Sequence, residues 1–161
     1  NGGYMSYHLA CLLSDRVAAI ASVTGSMTPT TFSSCDPTHP TSILQIHGTA
    51  DSAVPYEGAT WTLSMGEVVE YWSTYNGCDP IPLTAQLPDQ NSDGNVSEII
   101  AYSNCTNQVD VRLYRMTGMG HEWPELERGL DISAVEVIWS FLSKYSLNGL
   151  IEQAEENKIY N

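Results

Sequence analysis

Asp51 and His121 are the residues of this chain whose surroundings look built for chemistry. Asp51 follows an apolar run, Ile43 to Ile46, that stops at Gly48. His121 follows an alternating run, Val109 to Met116, that stops in Thr117-Gly-Met-Gly120. Each run reads as a strand, the first buried and the second half-buried, so acid and histidine both stand at a strand's carboxyl end. Open α/β sheets place ligands and reacting groups there. A histidine becomes a general base when a buried carboxylate holds its other ring nitrogen, and the two together are two-thirds of a hydrolytic triad. The third member would be a serine in a Gly-x-Ser-x-Gly turn between a strand and a helix. The chain opens on Asn1-Gly2-Gly3 and enters a helix at once, so a serine immediately before Asn1 would complete the second half of that turn.

The elements that must position these residues follow from the apolar spacing. Tyr4 to Leu13 reads as a helix with Tyr4, Tyr7, His8, Cys11 and Leu12 on one face. Val17 to Val23 is a short apolar run, a buried-strand candidate. Ser26 to Thr41, rich in Ser, Thr and Pro, reads as a surface loop pinned by Cys35. Leu63 to Tyr75 reads as a helix with Val68, Val69 and Trp72 inward, ended by Asn76-Gly77. Pro80 to Asn95 is a polar excursion, and Val96 to Tyr102 and Val109 to Met116 are strands joined by a turn at Asn104-Cys-Thr-Asn107. Asp131 to Leu142 is an amphipathic helix with Ile132, Val135, Ile138, Trp139 and Leu142 as its stripe and Asp131 as N-cap. Leu147 to Asn157 reads as a weaker, acidic last helix. Alternation of this kind predicts an α/β fold, a parallel sheet with helices on both faces, in a single domain over 1–161 whose first strands are missing.

Composition narrows the partners. The 161 residues are 42% hydrophobic, enough for one domain with a core. The formal net charge is -13, and the six Lys and Arg form no basic run, which argues against nucleic acid. No apolar run approaches the roughly 20 residues of a membrane span. The four cysteines, Cys11, Cys35, Cys78 and Cys105, include no Cys-x-x-Cys pair; their even number and wide spacing suit two disulfides in an exported protein.

Several motifs together resemble one family. Asn1-Gly-Gly-Tyr-Met-Ser-Tyr-His-Leu-Ala-Cys11, His47-Gly-Thr-Ala-Asp-Ser-Ala-Val-Pro-Tyr56, Tyr71-Trp72 before Asn76-Gly-Cys78, and Gly118-Met-Gly-His-Glu-Trp-Pro124 resemble the extracellular polyhydroxybutyrate depolymerase and feruloyl esterase family. These are α/β-hydrolases, acetyl xylan esterases among them. The resemblance runs from residue 1 to about Leu142. It implies the C-terminal portion of an α/β-hydrolase, Asp51 as triad acid, His121 as triad base and the Asn1 backbone N–H as one oxyanion donor. It also implies a secreted serine esterase acting on feruloyl or acetyl esters of plant walls or on short polyesters, without a cofactor. The nucleophile and second oxyanion donor would lie upstream of Asn1, and the chain alone would then be inactive.

The remaining candidates weigh less. His47, before a glycine at a strand end, suits a backbone hydrogen bond better than a reaction. Ser6 lies inside a helix without flanking glycines and is rejected as nucleophile. His8 and His39 lack partners at metal spacing, so no metal is expected. Trp123, and more weakly Trp61, are candidate substrate-cleft walls; each could equally be a core or rim residue. Asp89 to Ser97 imitates the start of a calcium loop, but Ile100 stands where a bidentate Glu is needed, and a hairpin connection fits better. Asn95-Val-Ser97 and Asn104-Cys-Thr106 are glycosylation sequons. From their places on the elements, Cys11 should pair with Cys35 and Cys78 with Cys105. A non-catalytic polysaccharide-binding relative is the alternative function, but it would have no use for the Asp51–His121 pair.

Overall fold

Seven consecutive buried residues, Ser42–Gly48, form the strand on which the sheet is centred. In the computed structural model, which describes residues 1–90 and 92–151, this strand (β2) pairs in parallel with β1 (Ala19–Val23) on one side and with β5 (Val111–Met116) on the other. The pleat sends Ile43 to one face and Leu44 and Ile46 to the other, so both neighbours and both faces are apolar, as a central parallel strand requires. Beyond β5 the sheet continues with β4 (Glu98–Tyr102) and β3 (Leu83–Gln86), both antiparallel to their neighbours, in the order β1-β2-β5-β4-β3. The sheet is therefore mixed, where the element order predicts a parallel one. The physical reason is the short turn through Cys105, which can join only antiparallel neighbours; a parallel pair needs a long crossover.

Helices cover both faces. On one, α1 (Gly2–Leu12) and α3 (Met65–Tyr75) bury Tyr7, Ala10 and Cys11, and Met65, Val68, Val69 and Trp72, against Ile20, Ile43, Val111 and Leu113. On the other, α4 (Ala134–Leu142) buries Ala134 and Phe141 against Leu44, Ile46, Tyr114 and Met116. Two expected faces are corrected. His8 and Leu12 of α1 are exposed, and Ala10 packs instead. In α4, Val135 and Trp139 point outward, at 62% and 72% exposure. Nearly every residue of Ala-Val-Glu-Val-Ile-Trp-Ser-Phe-Leu is apolar, so the spacing admits two stripes; small Ala134 lets the helix sit close on the sheet and selects one. Ser133, not Asp131, caps α4, accepting from the Glu136 N–H. Asp131 instead accepts from the Gln90 N–H at 3.0 Å.

Three stretches differ from the sequence reading. The 26–41 loop contains a short helix, α2 (Pro29–Ser33), capped by the Thr28 side chain. The 80–95 excursion contains the edge strand β3, whose four residues are all exposed. At the C-terminal end, β6 (Tyr145–Ser146) and β7 (Gly149–Leu150) form a small hairpin where a helix from Leu147 is expected; the rest of that expected helix lies outside the described residues.

Two cystines fasten the helices to the loops, in the expected pairing. Cys11–Cys35 joins α1 to the segment after α2, and Cys78–Cys105 joins the end of α3 to the turn before β5, with Cα separations of 4.5 and 3.8 Å. Asn76, fully buried at the end of α3, adds a polar clamp. Its Oδ1 accepts from the Thr41 N–H (3.0 Å), its Nδ2 donates to the Thr41 carbonyl (2.8 Å), and its own carbonyl accepts from the Thr106 N–H (2.9 Å). This sets where β2 begins. Asn76→Ala strands a buried donor and a buried acceptor, so urea denaturation should show a loss of about 3 kcal/mol; a loss under about 1 kcal/mol would mean the clamp does not hold β2.

Candidate active site

β2 and β5 end in register, Gly48 opposite Met116, so the chains that leave them emerge side by side. Backbone bonds then lace the two loops together. Thr49 N–H donates to the Met116 carbonyl (2.9 Å) and Ala50 N–H to the Met119 carbonyl (3.1 Å), while Gly118 N–H donates to Thr49 Oγ1 (3.0 Å). The approach is so close that a Cβ on Gly48 would lie 2.0 Å from the Met119 oxygen. The lacing delivers His121 to Asp51, with Nδ1 2.9 Å from Oδ2.

Asp51 is 4% exposed and its oxygens are fully engaged. Oδ1 accepts from the Ala53 and Val54 N–H groups at 2.9 and 2.8 Å, and Oδ2 accepts from His121. Burial by itself would push the carboxyl up, but the Val54 N–H, His121 and the Ala53 N–H outweigh it and hold the acid below its ordinary range. His47 stands behind it, fully buried. Its Nδ1 accepts from Gln45 Nε2 (3.0 Å) and its Nε2 donates to the Val54 carbonyl (2.8 Å), lying also 3.3 Å from Asp51 Oδ2. Burial lowers its pKa, so the ring is neutral with its proton on Nε2. His47 thus shapes the Asp51 turn, the structural role expected of it.

Gln45 and Tyr7 extend this chain of contacts, and sequence reasoning missed both. Tyr7 Oη donates to Gln45 Oε1 (2.7 Å), and Gln45 Nε2 also donates to the Gly25 carbonyl (3.0 Å), which connects α1 through Gln45 and His47 to Asp51. The available signal was a glutamine inside the apolar run Ile43-Leu-Gln-Ile46: a buried polar group must be hydrogen-bonded.

The start of α1 reaches the same end of the sheet. A Cβ on Gly3 would meet Ser22 Oγ at 2.5 Å and Gly25 Cα at 2.8 Å, so helix and turn touch backbone to backbone. Tyr4 Oη and Thr62 Oγ1 are 2.7 Å apart. Trp123, 42% exposed, lines an open groove of about 530 Å³ with Gly2, Gly3 and Ser6 of α1 and Ala21 and Val23 of β1. Asn1, the N-cap of α1, stands next to this groove. Asp51 and His121 thus meet directly, and Trp123, two residues after His121, lines the groove that includes the start of α1. Trp61 is not part of that groove; it stands half-exposed in the turn bridged by Ala59 and Thr62. Ser6 Oγ donates back to the Gly2 carbonyl within the helix (3.1 Å). Asp89 to Ser97 connects two strands, with the Asp89 carboxylate accepting from the Asp93 and Gly94 N–H groups. Among the described residues, no cluster of three or more His, Cys, Asp or Glu could hold a metal.

Comparison with known proteins points the same way. The chain is 30% identical over 91% of its length to "Feruloyl esterase B" of Piromyces equi. It is 28% identical over 76% of its length to "Putative esterase NocK" of Nocardia uniformis subsp. tsuyamanensis, and 28% identical over 88% to "Probable feruloyl esterase C" of Aspergillus terreus. The matches span only 26%, 40% and 46% of those proteins' own lengths. No protein-family model matches the chain. These distant relatives, all named as esterases, support an esterase family; none of the three is named as a polyhydroxybutyrate depolymerase.

The lacing of the two loops is testable at Gly48. Gly48→Ala should cost about 2–3 kcal/mol in urea denaturation, as overpacking against backbone does. Gly2→Ala, where nothing lies within 4 Å of the new Cβ, should be neutral or slightly stabilising. Equal effects would mean the loops are not in the close contact described.

Proposed function

We propose that this chain carries the acid and base of a serine carboxylic-ester hydrolase built on the α/β-hydrolase plan, with its nucleophile a serine immediately before Asn1 in the full-length protein. The observation that carries the reading is the bond from His121 Nδ1 to the buried, fully engaged carboxylate of Asp51. That bond leaves the His121 Nε2 lone pair without a hydrogen bond to any described residue, two residues before Trp123 of the groove at the start of α1. A serine there would pass its proton to Nε2 as it attacks the ester carbonyl, and His121 would return the proton to the leaving alcohol. Asp51 would hold the ring in the reactive tautomer and stabilise the imidazolium formed in the transition state. The Asn1 N–H, at the amino end of an eleven-residue helix, is suited to one side of an oxyanion hole.

The surroundings support a larger domain. β1 is the edge of the sheet, and an open groove lies beside it, lined by Leu9 of α1 and by Ile138 and Leu142 of α4. Further strands pairing with β1 would cover that side. Feruloyl esters are the substrate class the relatives' names favour; acetyl esters and short polyhydroxyalkanoates fit the same acyl chemistry. Two disulfides suit an oxidising, extracellular location, and no helix among the described residues is long and apolar enough to cross a membrane.

The test is Asp51→Asn in the full-length protein, assayed on methyl ferulate and nitrophenyl acetate. Turnover should fall on the order of 10⁴-fold with KM little changed, because the carboxylate acts on the transition state. Near-normal turnover would remove Asp51 from the site and with it this reading.

A further inference from the structure

α3 has a second worked face. Its inward side carries Met65, Val68, Val69 and Trp72, while Glu67, Glu70, Tyr71, Thr74 and Tyr75, spaced by three and four residues, line the opposite side of the helix. Phe32 of α2 leans over that row, and together these six residues line a surface cavity of about 400 Å³. The aromatic rings form a corner. Tyr71 and Tyr75 lie 14° from parallel with centroids 6.3 Å apart, and Phe32 stands edge-on to Tyr71 at 5.2 Å.

The rings are held in place before any ligand arrives. Tyr71 Oη donates to the Cys35 carbonyl (3.3 Å) and Tyr75 Oη to the Pro37 carbonyl (2.6 Å). Both carbonyls belong to the segment that the Cys11–Cys35 bridge fastens to α1. With the hydroxyls committed to the loop, the cavity is offered ring faces and edges. Phe32 and Tyr75 remain 41% and 37% exposed.

Charge selects the occupant. Glu67 and Glu70 line the cavity, and Asp36 is the charged side chain that acts on both tyrosines. No Lys or Arg is among the lining residues, in a chain whose net charge is -13. Fixed aromatic faces flanked by carboxylates attract a cation through the ring quadrupole and the Coulomb term together. An anion would be repelled, and a neutral sugar would gain only the stacking.

We propose that this corner between α2 and α3 binds an organic cation, an alkylated ammonium group seated against Phe32, Tyr71 and Tyr75 with Glu67 and Glu70 as counter-charges. The site uses neither Asp51 nor His121, so it stands or falls apart from the ester-hydrolase reading.

The test is calorimetric titration of the full-length protein at low ionic strength with choline, with its uncharged isostere 3,3-dimethylbutan-1-ol and with cellobiose. Choline should bind saturably, and the isostere roughly tenfold more weakly or worse. Phe32→Leu, which keeps the apolar volume but removes the ring, and Glu70→Gln, which removes a charge at an exposed position, should each weaken choline about threefold to tenfold with circular dichroism unchanged. Equal binding of choline and the isostere on the unaltered protein would reduce the site to an apolar dent and overturn the proposal. So would tighter binding of cellobiose, choline binding that ignores both substitutions, or no saturable binding.

Discussion

A carboxylate taken out of water must be given donors, or it will be neutral or the fold will lose stability. Asp51 receives three, two from the backbone of its own turn and one from a histidine seventy residues further along the chain. The two backbone donors exist only if the chain turns sharply after Asp51, and the Val54 carbonyl on that turn is in turn held by His47. The third exists only if β2 and β5 end together. Much of the sheet's register and the geometry of both loops can be read as the conditions for satisfying this one group.

Glycine makes the arrangement possible at two places for the same reason. At Gly48 the Asp51 strand meets the carbonyl of the His121 loop, and at Gly3 the start of α1 meets the turn at Gly25; neither junction has room for a methyl group. Cystines and the Asn76 clamp fix the opposite end of the sheet. Strand ends are thus fastened at one end by covalent and polar ties and at the other by backbone-to-backbone contact. The acid–base role proposed for Asp51 and His121 would need that rigidity, because small displacements are costly in catalysis.

The Asp51–His121 pairing was legible because both residues follow apolar runs that read as strands and both are announced by glycine. The cystine pairing was legible for a similar reason, each cysteine lying beside an element boundary. The orientation of α4 was not, since an almost wholly apolar helix presents two equivalent stripes and only the depth available above β1 and β2 chooses between them. The antiparallel β4–β5 pair was legible in the short turn at Asn104–Asn107, but the edge strand β3 was not, because its four residues are all exposed and no buried apolar run marks it. Gln45 shows a different limit: its type marks it as unusual inside a strand, but its distant partners, Tyr7 and Gly25, come from tertiary contact.

Two histidines that share one carboxylate hold opposite tautomers. His47 keeps its proton on Nε2, facing the Val54 carbonyl, and His121 keeps its proton on Nδ1, facing Asp51, so that Nε2 is free to accept. Long-range proton–nitrogen correlation spectra of the full-length protein read this directly. A bare Nε2 and a protonated Nδ1 are expected for His121, the reverse for His47, with loss of the His121 preference in Asp51→Asn. A His121 ring protonated on Nε2, or averaging freely between tautomers in the unaltered protein, would contradict the claim that Asp51 prepares it as a base.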